Sequence, residues 1–352
     1  MEKVFVGLSG GVDSAVAARL LLDQGYDVTG VFIKIWQPEF IECTWEQDRL
    51  SAKRVAAALG IPFREIDLSD EYKKQVIEDM IRGYESGRTP NPDVLCNRYI
   101  KFGAFRTWAR TQGADRIATG HYARIVEHDS VFELHRGKDP AKDQAYFLTM
   151  LTQDDLRGSL FPVGEYTKTE IRAIAQHAGL PNATRPDSQG LCFVGDVSIG
   201  DFLNRFISLS RGRVFDMKGN DIGTHDGAAR YTVGQRHGFV LDVMSSDEKP
   251  RYIVRIDTKK NTLTVSTDLD DARCSRVRLR DVNWINEPPT EGRPYDIELR
   301  YHQKPVTAKI VYTADGLDLI LDTPQIISTG QSAVFYDGER CLGGGVVSEA
   351  CE

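Results

Sequence analysis

At 352 residues the chain is long enough for two or three domains, and its hydrophobic content of 41% is sufficient to fill their cores. Charged residues make up 27% of the chain and no apolar run approaches the length of a membrane span, so the composition excludes a transmembrane protein. The net charge of −7 argues weakly against a nucleic-acid partner, although whole-chain charge is a poor guide to a local surface.

The N-terminal segment MEKVFVG enters a strand directly and has no signal-peptide character, which predicts a cytoplasmic protein without a membrane partner. Six cysteines stand at positions 43, 96, 192, 274, 341 and 351, with no C-x-x-C pair and no His/Cys cluster at zinc spacing. In a reducing compartment they do not form a disulfide framework. We therefore predict no dedicated metal site, and the question is which cysteines are reactive.

The first predicted elements are a buried strand, KVFVG, and the helix that follows within LSGGVDSAVAARLL. The two adjacent glycines fall in the turn between them, where backbone N–H groups and the helix dipole favour an anion. The turn lacks the lysine of the Walker pattern, whereas Asp13 with Ser9 and Ser14 suits a leaving pyrophosphate held through Mg²⁺. The alternative is a plain strand-turn-helix connection with capping serines, but S-G-G-x-D-S after a first strand resembles the PP-loop of the ATP pyrophosphatases.

Strands and helices then alternate through YDVTGVFIKIW, TWEQDRLSAKRVAAALG, IPFREIDLS, DEYKKQVIEDMIRGYESG and ADRIATGHYA. This order predicts an α/β fold with a parallel sheet and helices on both faces. Ligands of such sheets bind at the carboxyl ends of the strands, where the glycine-rich turn, Ile33 after the second strand and the TGHYA segment fall. A later helix carries Thr167 and Glu170 at the spacing of a capping box.

The segment GRTPNPDVLCNRYIKFG contains two prolines that bracket Asn91 and predict a rigid, extended loop. We expect this loop to present Asp93 and Cys96 just before the next helix. A cysteine near a helix N-terminus has a lowered pKa, and Asp93 lies close enough to act as a proton acceptor or donor. The alternative is a structural turn with a buried cysteine.

The stretch from Arg98 to Arg124 interleaves basic and aromatic residues and holds a single acid, Asp115. This composition suits RNA contact, because bases stack on aromatic rings while cations bind phosphates. It suits equally an amphipathic helix with Phe102, Phe105 and Trp108 in the core. The two interpretations stay open, and both can hold for different faces.

A further motif, RPDSQGLCFVGD, places Cys192 after a polar turn. Such a cysteine is by itself more often buried than reactive. Two loop cysteines on a fold that adenylates an oxygen nevertheless suggest sulfur chemistry, in which one thiolate carries a persulfide and the other resolves it. The segment AKDQAYFL puts a polar cluster, Lys142 to Gln144, before an aromatic pair.

After about Phe206 the pattern changes to short β-like runs separated by turns, which predicts two small all-β modules, the last one barrel-like. We place the domain limits at residues 1–206, 207–273 and 274–352.

Taken together, these motifs resemble bacterial tRNA-specific 2-thiouridylases. The resemblance covers essentially the whole chain, through GLSGGVDSAVAA, GRTPNPDVLCNRYIKFG, ATGHYAR, KDQAYFL, DSQGLCFVGD, YTVGQRHG and GQSAVFYDGERCLGGG. It implies a PP-loop adenine-nucleotide α-hydrolase-like domain, a central β domain and a C-terminal β-barrel that contacts tRNA. It also implies a reaction in which ATP adenylates O2 of the wobble uridine, and a cysteine persulfide then supplies sulfur with release of AMP and pyrophosphate.

Carried over residue by residue, the resemblance gives Cys192 the persulfide, makes Cys96 the paired nucleophile and Asp93 the acid/base, and implies a Cys96–Cys192 disulfide after transfer. The residues that would hold ATP are Gly7, Leu8, Ser9, Gly10, Gly11, Val12, Asp13, Ser14, Ile33 and Gly120. The residues that would contact tRNA are Asn91, Pro92 and Asp93 at the target base, and His121, Lys142, Asp143, Gln144, Arg300, Tyr301 and Gln331 elsewhere. The implied partners are the tRNAs for Lys, Glu and Gln, and a cysteine desulfurase or sulfur-relay protein.

Two other functions remain open from the residues alone. A PP-loop amide ligase would need ammonia delivery, for which the sequence has no glutaminase-like motif, and it would leave the two loop cysteines unused. A non-catalytic RNA-binding protein that uses ATP as a switch would need neither Cys96 nor Cys192.

Overall fold

The computed structural model describes residues 1–40, 45–187, 199–242, 249–314 and 316–351. Cys192 lies outside the described residues. In chain order the first part comprises β1 (Lys3–Gly7), α1 (Val12–Asp23), β2 (Asp27–Lys34), α2 (Trp45–Leu59), β3 (Phe63–Asp67), α3 (69–85), α4 (92–111), β4 (Arg116–Ala118), β5 (Ala123–His128), β6 (Val131–Arg136), α5 (Gln153–Arg157), β7 (Ser159–Leu160), α6 (Lys168–His177) and α7 (Ile199–Leu203).

Five of these strands form a parallel sheet in the order β3-β2-β1-β4-β7. Side chains of β1 alternate between its faces: Phe5 packs with α3 and α4, whereas Val4 and Val6 pack with α1, α2 and α6. The sheet therefore carries helices on both faces, which confirms the predicted fold class. Ile33 lies inside β2 rather than after it, near the carboxyl end and beside Gly7.

Helices α3 and α4 are interrupted by π-helical turns. In α3 these turns cover Lys73–Ile77, and in α4 they cover Cys96–Phe105. Such turns are rare and frequently lie at functional sites. The π-helical stretch of α4 begins at Cys96, one of the two cysteines to which the sequence assigns chemistry.

A β-hairpin formed by β5 and β6 leaves the parallel sheet and joins the C-terminal sheet, where Leu134 pairs with Cys341. Its turn residues, Asp129 and Ser130, have φ values of 49° and 66°. Two adjacent residues in this left-handed region suit the tight hairpin turns whose twist matches that of the strands. The sequence interpretation missed this hairpin, although two alternating runs separated by a polar pair were the available signal.

The rest of the chain is built of β-strands, as predicted. A central sheet contains β8 (Gly212–Phe215), β9 (Asp221–His225), β10 (Phe239–Leu241), β11 (Tyr252–Asp257) and β12 (Thr262–Ser266), in the order β10-β9-β8-β12-β11. Its small core is separate from those of the other parts.

The C-terminal sheet contains β13 (Arg273–Trp284), β14 (Pro294–Glu298), β15 (Val306–Thr313), β16 (Gly316–Ile326), β17 (Ser332–Asp337) and β18 (Arg340–Cys351). Their order is β13-β16-β15-β14-β17-β18, and pairing of β13 with β18 closes the sheet into an antiparallel barrel. No helix in the described part of the chain is long and apolar enough to cross a membrane.

Candidate functional site

The glycine-rich turn after β1 is fixed through its carbonyl groups. Ser51 Oγ donates to the carbonyl of Gly10 at 2.9 Å, and Asn182 Nδ2 donates to the carbonyls of Gly10 and Gly11, both at 2.9 Å. Gly10 has a φ of +80°, and a Cβ there would lie 2.6 Å from the backbone oxygen of Asp48. The close approach of α2 therefore requires glycine at this position.

Helix α1 starts from this turn without a side-chain cap. Its N-cap residue is Gly11, which has no side chain to cap the N–H groups of the first turn, and the N–H of Gly11 itself donates to Ser9 Oγ at 3.3 Å. The two serines also contact each other, with Ser9 Oγ and Ser14 Oγ 3.2 Å apart. The uncapped N–H groups and the helix dipole give this end of α1 the properties of an anion site, as the sequence predicts.

Asp13 in the first turn of α1 is held by two side chains from distant segments. Tyr122 donates its hydroxyl to Asp13 Oδ1 at 2.8 Å, and Lys168 Nζ lies 2.7 and 2.9 Å from the two carboxylate oxygens. Burial and the adjacent Asp13 carboxylate raise the pKa of Tyr122, so its hydroxyl stays protonated. Lys168 supplies, from α6, the cation that the turn itself lacks.

Lys168 also belongs to a second ion cluster, centred on Asp187. The Asp187 carboxylate lies 2.7 Å from Lys142 Nζ, 2.8 Å from Lys168 Nζ and 2.7 Å from Arg172. Burial would raise the pKa of Asp187, but hydrogen bonds from the two lysines prevail and lower it to about 2. The chain continues from Asp187 into residues 188–198, which contain Cys192.

The segment between β4 and β5 contacts the glycine-rich turn directly. A Cβ on Gly120 would lie 2.7 Å from the backbone nitrogen of Ser14 and 2.8 Å from the carbonyl carbon of Asp13. Only a glycine lets the two backbones approach this closely. Gly120 therefore lies against the predicted nucleotide site.

His121 follows Gly120 and is buried, with 7% of its surface exposed. Its Nδ1 lies 2.7 Å from Thr119 Oγ1, and its Nε2 lies 3.3 Å from Lys101 Nζ. Burial and the charge of Lys101 move the pKa of His121 well below its ordinary value, so the ring is neutral. Because the ammonium group donates to Nε2, we assign the ring proton to Nδ1, which donates to Thr119.

The start of α4 differs from the sequence prediction. Asn91 Oδ1 accepts hydrogen bonds from the N–H groups of Asp93 and Val94 at 3.2 and 3.4 Å, so the helix begins directly after it. Pro92 fits the first helical position because it has no N–H to satisfy. Asp93 and Cys96 therefore lie inside the helix rather than on a loop before it.

Cys96 is buried in the core cluster beneath the parallel sheet, with 4% of its surface exposed. Burial raises the pKa of Asp93 above its ordinary value, and the positive charge of Lys101 partly opposes that rise. A carboxyl group in this state holds and releases a proton closer to neutral pH than an exposed one. Asp93 is thus suited to acid/base chemistry.

All three parts of the chain meet at Thr89, two residues before the cap of α4. The N–H of Thr89 donates to the carbonyl of Thr329 at 2.7 Å, and Gln331 Nε2 donates to the carbonyl of Thr89 at 2.7 Å. The hydroxyl of Thr89 lies 3.1 Å from that of Thr232, in the segment between β9 and β10 of the central part. The barrel and the central part thus fix the segment leading to Asp93.

The other residues with a predicted RNA role are engaged within the protein. Asp143 is buried and pairs with Arg136 at 2.8 Å, and Gln144 Oε1 accepts from the N–H of Tyr122 at 3.0 Å. These contacts give Asp143 and Gln144 a structural role beside the nucleotide site. Their contact with RNA stays a prediction.

Arg300 and Tyr301 lie at the junction of the three parts. Arg300 donates to Ser328 Oγ at 3.1 Å, and the ring of Tyr301 lies 4.3 Å from that of Phe147. Burial, with smaller effects of nearby carboxylates, raises the pKa of Tyr301 to about 12. Both side chains remain partly exposed, as the predicted RNA contact requires.

The stretch from Arg98 to Arg124 follows the amphipathic-helix interpretation for its aromatic residues. Phe102 and Phe105 are buried in the core and Trp108 packs against it, so these rings do not offer a stacking surface to RNA. One basic residue of the stretch, Arg106, is taken up by an ion pair with Asp154 at 2.7 Å. The RNA interpretation stays open for the exposed cations of the stretch and for the half-exposed ring of Tyr99.

Sequence reasoning missed several residues that build the site. They are Tyr122 between β4 and β5, Lys168 in α6, and Asn182 and Asp187 in the segment after α6. The described residues include no group of three or more His, Cys, Asp or Glu side chains that could hold a metal ion.

The chain matches three family models in succession. Residues 2–196 match the tRNA methyl transferase HUP domain, residues 200–267 the tRNA methyl transferase PRC-barrel domain, and residues 274–347 the aminomethyltransferase β-barrel domain. The first model alone covers more than half of the chain.

Curated relatives align over almost the full length. A tRNA-specific 2-thiouridylase MnmA from Delftia acidovorans is 44% identical over 99% of this chain and 98% of that protein. One from Lacticaseibacillus paracasei is 41% identical over 99% of this chain and 94% of that protein. Among solved structures, the U34-tRNA thiolase NcsA from Methanococcus maripaludis gives a TM-score of 0.37 at 18% identity, covering 55% of this chain and 61% of that one.

Proposed function

Because the chain belongs to the tRNA-specific 2-thiouridylase family, we propose that it replaces O2 of the wobble uridine of tRNA with sulfur in an ATP-dependent reaction. The observation that supports this most directly is a continuous path of contacts. It runs from the turn before α1 through Gly120 and His121 to Lys101, whose charge acts on Asp93. A nucleotide at one end and a base at the other would lie within reach of each other.

In the first step the wobble base leaves the anticodon stack and enters the site beside Asn91 and Asp93, as enzymes that modify a base require. Its O2 attacks the α-phosphate of ATP, and pyrophosphate leaves over the N-terminus of α1. Asp13 fits Mg²⁺, since that ion binds through one or two carboxylates together with phosphate oxygens. Lys168 neutralises charge on the departing pyrophosphate.

In the second step sulfur replaces the activated oxygen. The persulfide on Cys192 supplies sulfur to C2 of the adenylated base, AMP leaves with the former O2, and Cys96 forms a disulfide with Cys192. A reductant then restores the two thiols. During these steps the base and the sulfur nucleophile lose and regain protons. Asp93 accepts these protons and returns them.

The remaining assignments complete the proposal. The substrates are the tRNAs for Lys, Glu and Gln, and a cysteine desulfurase or sulfur-relay protein charges Cys192. The enzyme is cytoplasmic, with domain limits at 1–206, 207–273 and 274–352.

Mass spectrometry of tRNA incubated with the enzyme, ATP and a persulfide donor tests the proposal. The expected product gains the mass difference between one sulfur and one oxygen on the wobble nucleoside, with one AMP formed per product. The matched control, Cys192→Ser, forms no thiolated product. A gain of one methylene group, which the family-model names would suggest, or no change in mass with the wild-type enzyme, contradicts the proposal.

A further inference from the structure

A cavity of about 430 Å³ lies between α3, α4 and the C-terminal barrel. Its lining is mainly polar, unlike the apolar lining typical of small-molecule sites. Five basic residues line it, namely Lys74, Arg82, Arg88, Arg98 and Arg280, together with two acidic ones, Asp79 and Asp281. We call this the basic cavity.

The two carboxylates of the basic cavity do not balance its positive charge. Asp79 lies 3.4 Å from Arg82, and Asp281 lies 3.4 Å from Arg280, so each carboxylate is already paired. Lys74, Arg88 and Arg98 have no carboxylate partner within the part of the chain that the structure describes. The basic cavity therefore has a net positive charge that an anion would offset.

Arg88 shows most clearly how the positive charges of the basic cavity affect one another. Its Nε donates to Ser86 Oγ at 2.9 Å, which orients the guanidinium group. Burial and the positive charge of Arg280 lower the pKa of Arg88. A planar guanidinium group held in this way suits bidentate binding of a phosphate.

The position of the basic cavity relates it to the site for the target base. Pro90 and Asn91, which lead into α4, line the cavity as well. Arg280 comes from strand β13 of the barrel, so the cavity exists only when the barrel is docked against the first part of the chain. An RNA that placed its base beside Asp93 would bring its neighbouring phosphates to this cavity.

We propose that the basic cavity binds the sugar-phosphate backbone of the RNA next to the target nucleotide, with Arg88, Arg98 and Arg280 as phosphate ligands. The inference rests on the proposed function, because it takes RNA as the ligand. It adds to that function a phosphate site that holds the anticodon loop in register while its base is extruded.

Binding of an anticodon stem-loop RNA with uridine at the wobble position tests the inference. Arg98→Ala and Arg280→Ala should each weaken binding about 5-fold or more, and each should reduce the slope of log K against log salt by about 0.7, the value for one phosphate of a single strand. The matched control is Arg293→Ala, because this arginine is also half-exposed, lies on the barrel and pairs with one carboxylate, Asp337. It should bind like the wild type.

The same variants should thiolate the stem-loop with a raised KM and an unchanged kcat, since the basic cavity holds the backbone and not the reacting atoms. Affinity and salt slope equal to those of the wild type in both Arg98→Ala and Arg280→Ala would overturn the inference. If the wild-type enzyme binds the RNA but does not thiolate it, the proposed function fails. The affinities and salt slopes of the two arginine variants then still decide whether the phosphate site exists. If the wild type does not bind RNA, both fail.

Discussion

The Nζ atom of Lys168 lies within 2.9 Å of both carboxylate oxygens of Asp13, although 155 residues separate the two in sequence. The lysine side chain is 13% exposed and also contacts Asp187. A cation in this position can exchange one of its carboxylate partners for a phosphate oxygen without moving far. The structure therefore completes the PP-loop with a lysine from α6.

Lys168→Ala should reduce ATP-dependent pyrophosphate release on tRNA by at least 100-fold, because it removes a charge that stabilises the leaving group. Asp13→Ala should do the same, while binding of tRNA by both variants should stay close to normal. Pyrophosphate release and tRNA affinity are measured in parallel. The matched control is Lys138→Ala, because Lys138 is exposed, lies outside α6 and pairs with Glu170 of α6. This variant should keep its activity. Pyrophosphate release at the wild-type rate by Lys168→Ala would rule out this role.

The sequence could predict the sheet and the glycine-rich turn because their signals are local. A buried strand, two glycines and an apolar helix face occur within twenty residues, and the backbone alone decides the geometry. No local sequence pattern indicates that Lys168 contacts Asp13. It reaches Asp13 only after α6 has packed beside α1, and a capping box at Thr167 predicts where α6 begins but not what its first residue contacts.

The start of α4 shows a different limit. The two prolines predict an extended loop, whereas Asn91 caps the helix and Pro92 fits its first position, so the helix begins earlier. The expectation that a loop presents Cys96 depends on that interpretation, whereas Cys96 is buried, as in the alternative that the sequence left open. Long-range packing of α4 against the sheet decides this burial, and residue spacing does not show it.

Lys101→Met should move the acidic limb of the pH–kcat/KM profile to higher pH. Burial raises the pKa of Asp93 and the charge of Lys101 opposes the rise, so loss of that charge raises the pKa further. The ionised, proton-accepting form of Asp93 then appears only at higher pH. Lys101→Arg keeps the charge and should restore the limb to its original position, which a purely structural effect of the first substitution would not predict. An unchanged limb in Lys101→Met would show that the two groups are not coupled.

Asp187→Asn should lower stability at neutral pH by about 1 kcal/mol, allowing for screening of partly exposed ion pairs. The pKa of Asp187 is about 2 in the folded protein, below the ordinary value for an aspartate. Its stabilising contribution is therefore complete above about pH 4 and disappears as the pH falls towards about 2. The difference in Tm between the wild type and Asp187→Asn should shrink over that range.

Asp23→Asn, which breaks an exposed pair with Arg19, is the control and should change Tm little at any pH. A Tm difference that is constant from pH 7 to pH 3 would contradict the assignment.

Cys96→Ser should bind and adenylate tRNA, accept a persulfide on Cys192, and release no thiolated product in the absence of an added reductant. Adenylation needs only ATP and the base, whereas release of the sulfur from Cys192 needs a second thiolate to take up the remaining sulfur as a disulfide. The matched control is Cys274→Ser on strand β13, which should turn over normally.

The species that accumulates in Cys96→Ser distinguishes two routes of sulfur transfer. If the terminal persulfide sulfur attacks C2 directly, AMP leaves and the enzyme is trapped as a reducible disulfide adduct with the tRNA. If Cys96 must first free hydrosulfide by attacking Cys192, no adduct forms, and persulfidated enzyme accumulates beside adenylated tRNA. Non-reducing electrophoresis of the mixture, with and without a later addition of dithiothreitol, separates these outcomes. Release of thiolated tRNA by Cys96→Ser at the wild-type rate without a reductant would show that Cys96 takes part in neither route. Its role would then be to pack in the core.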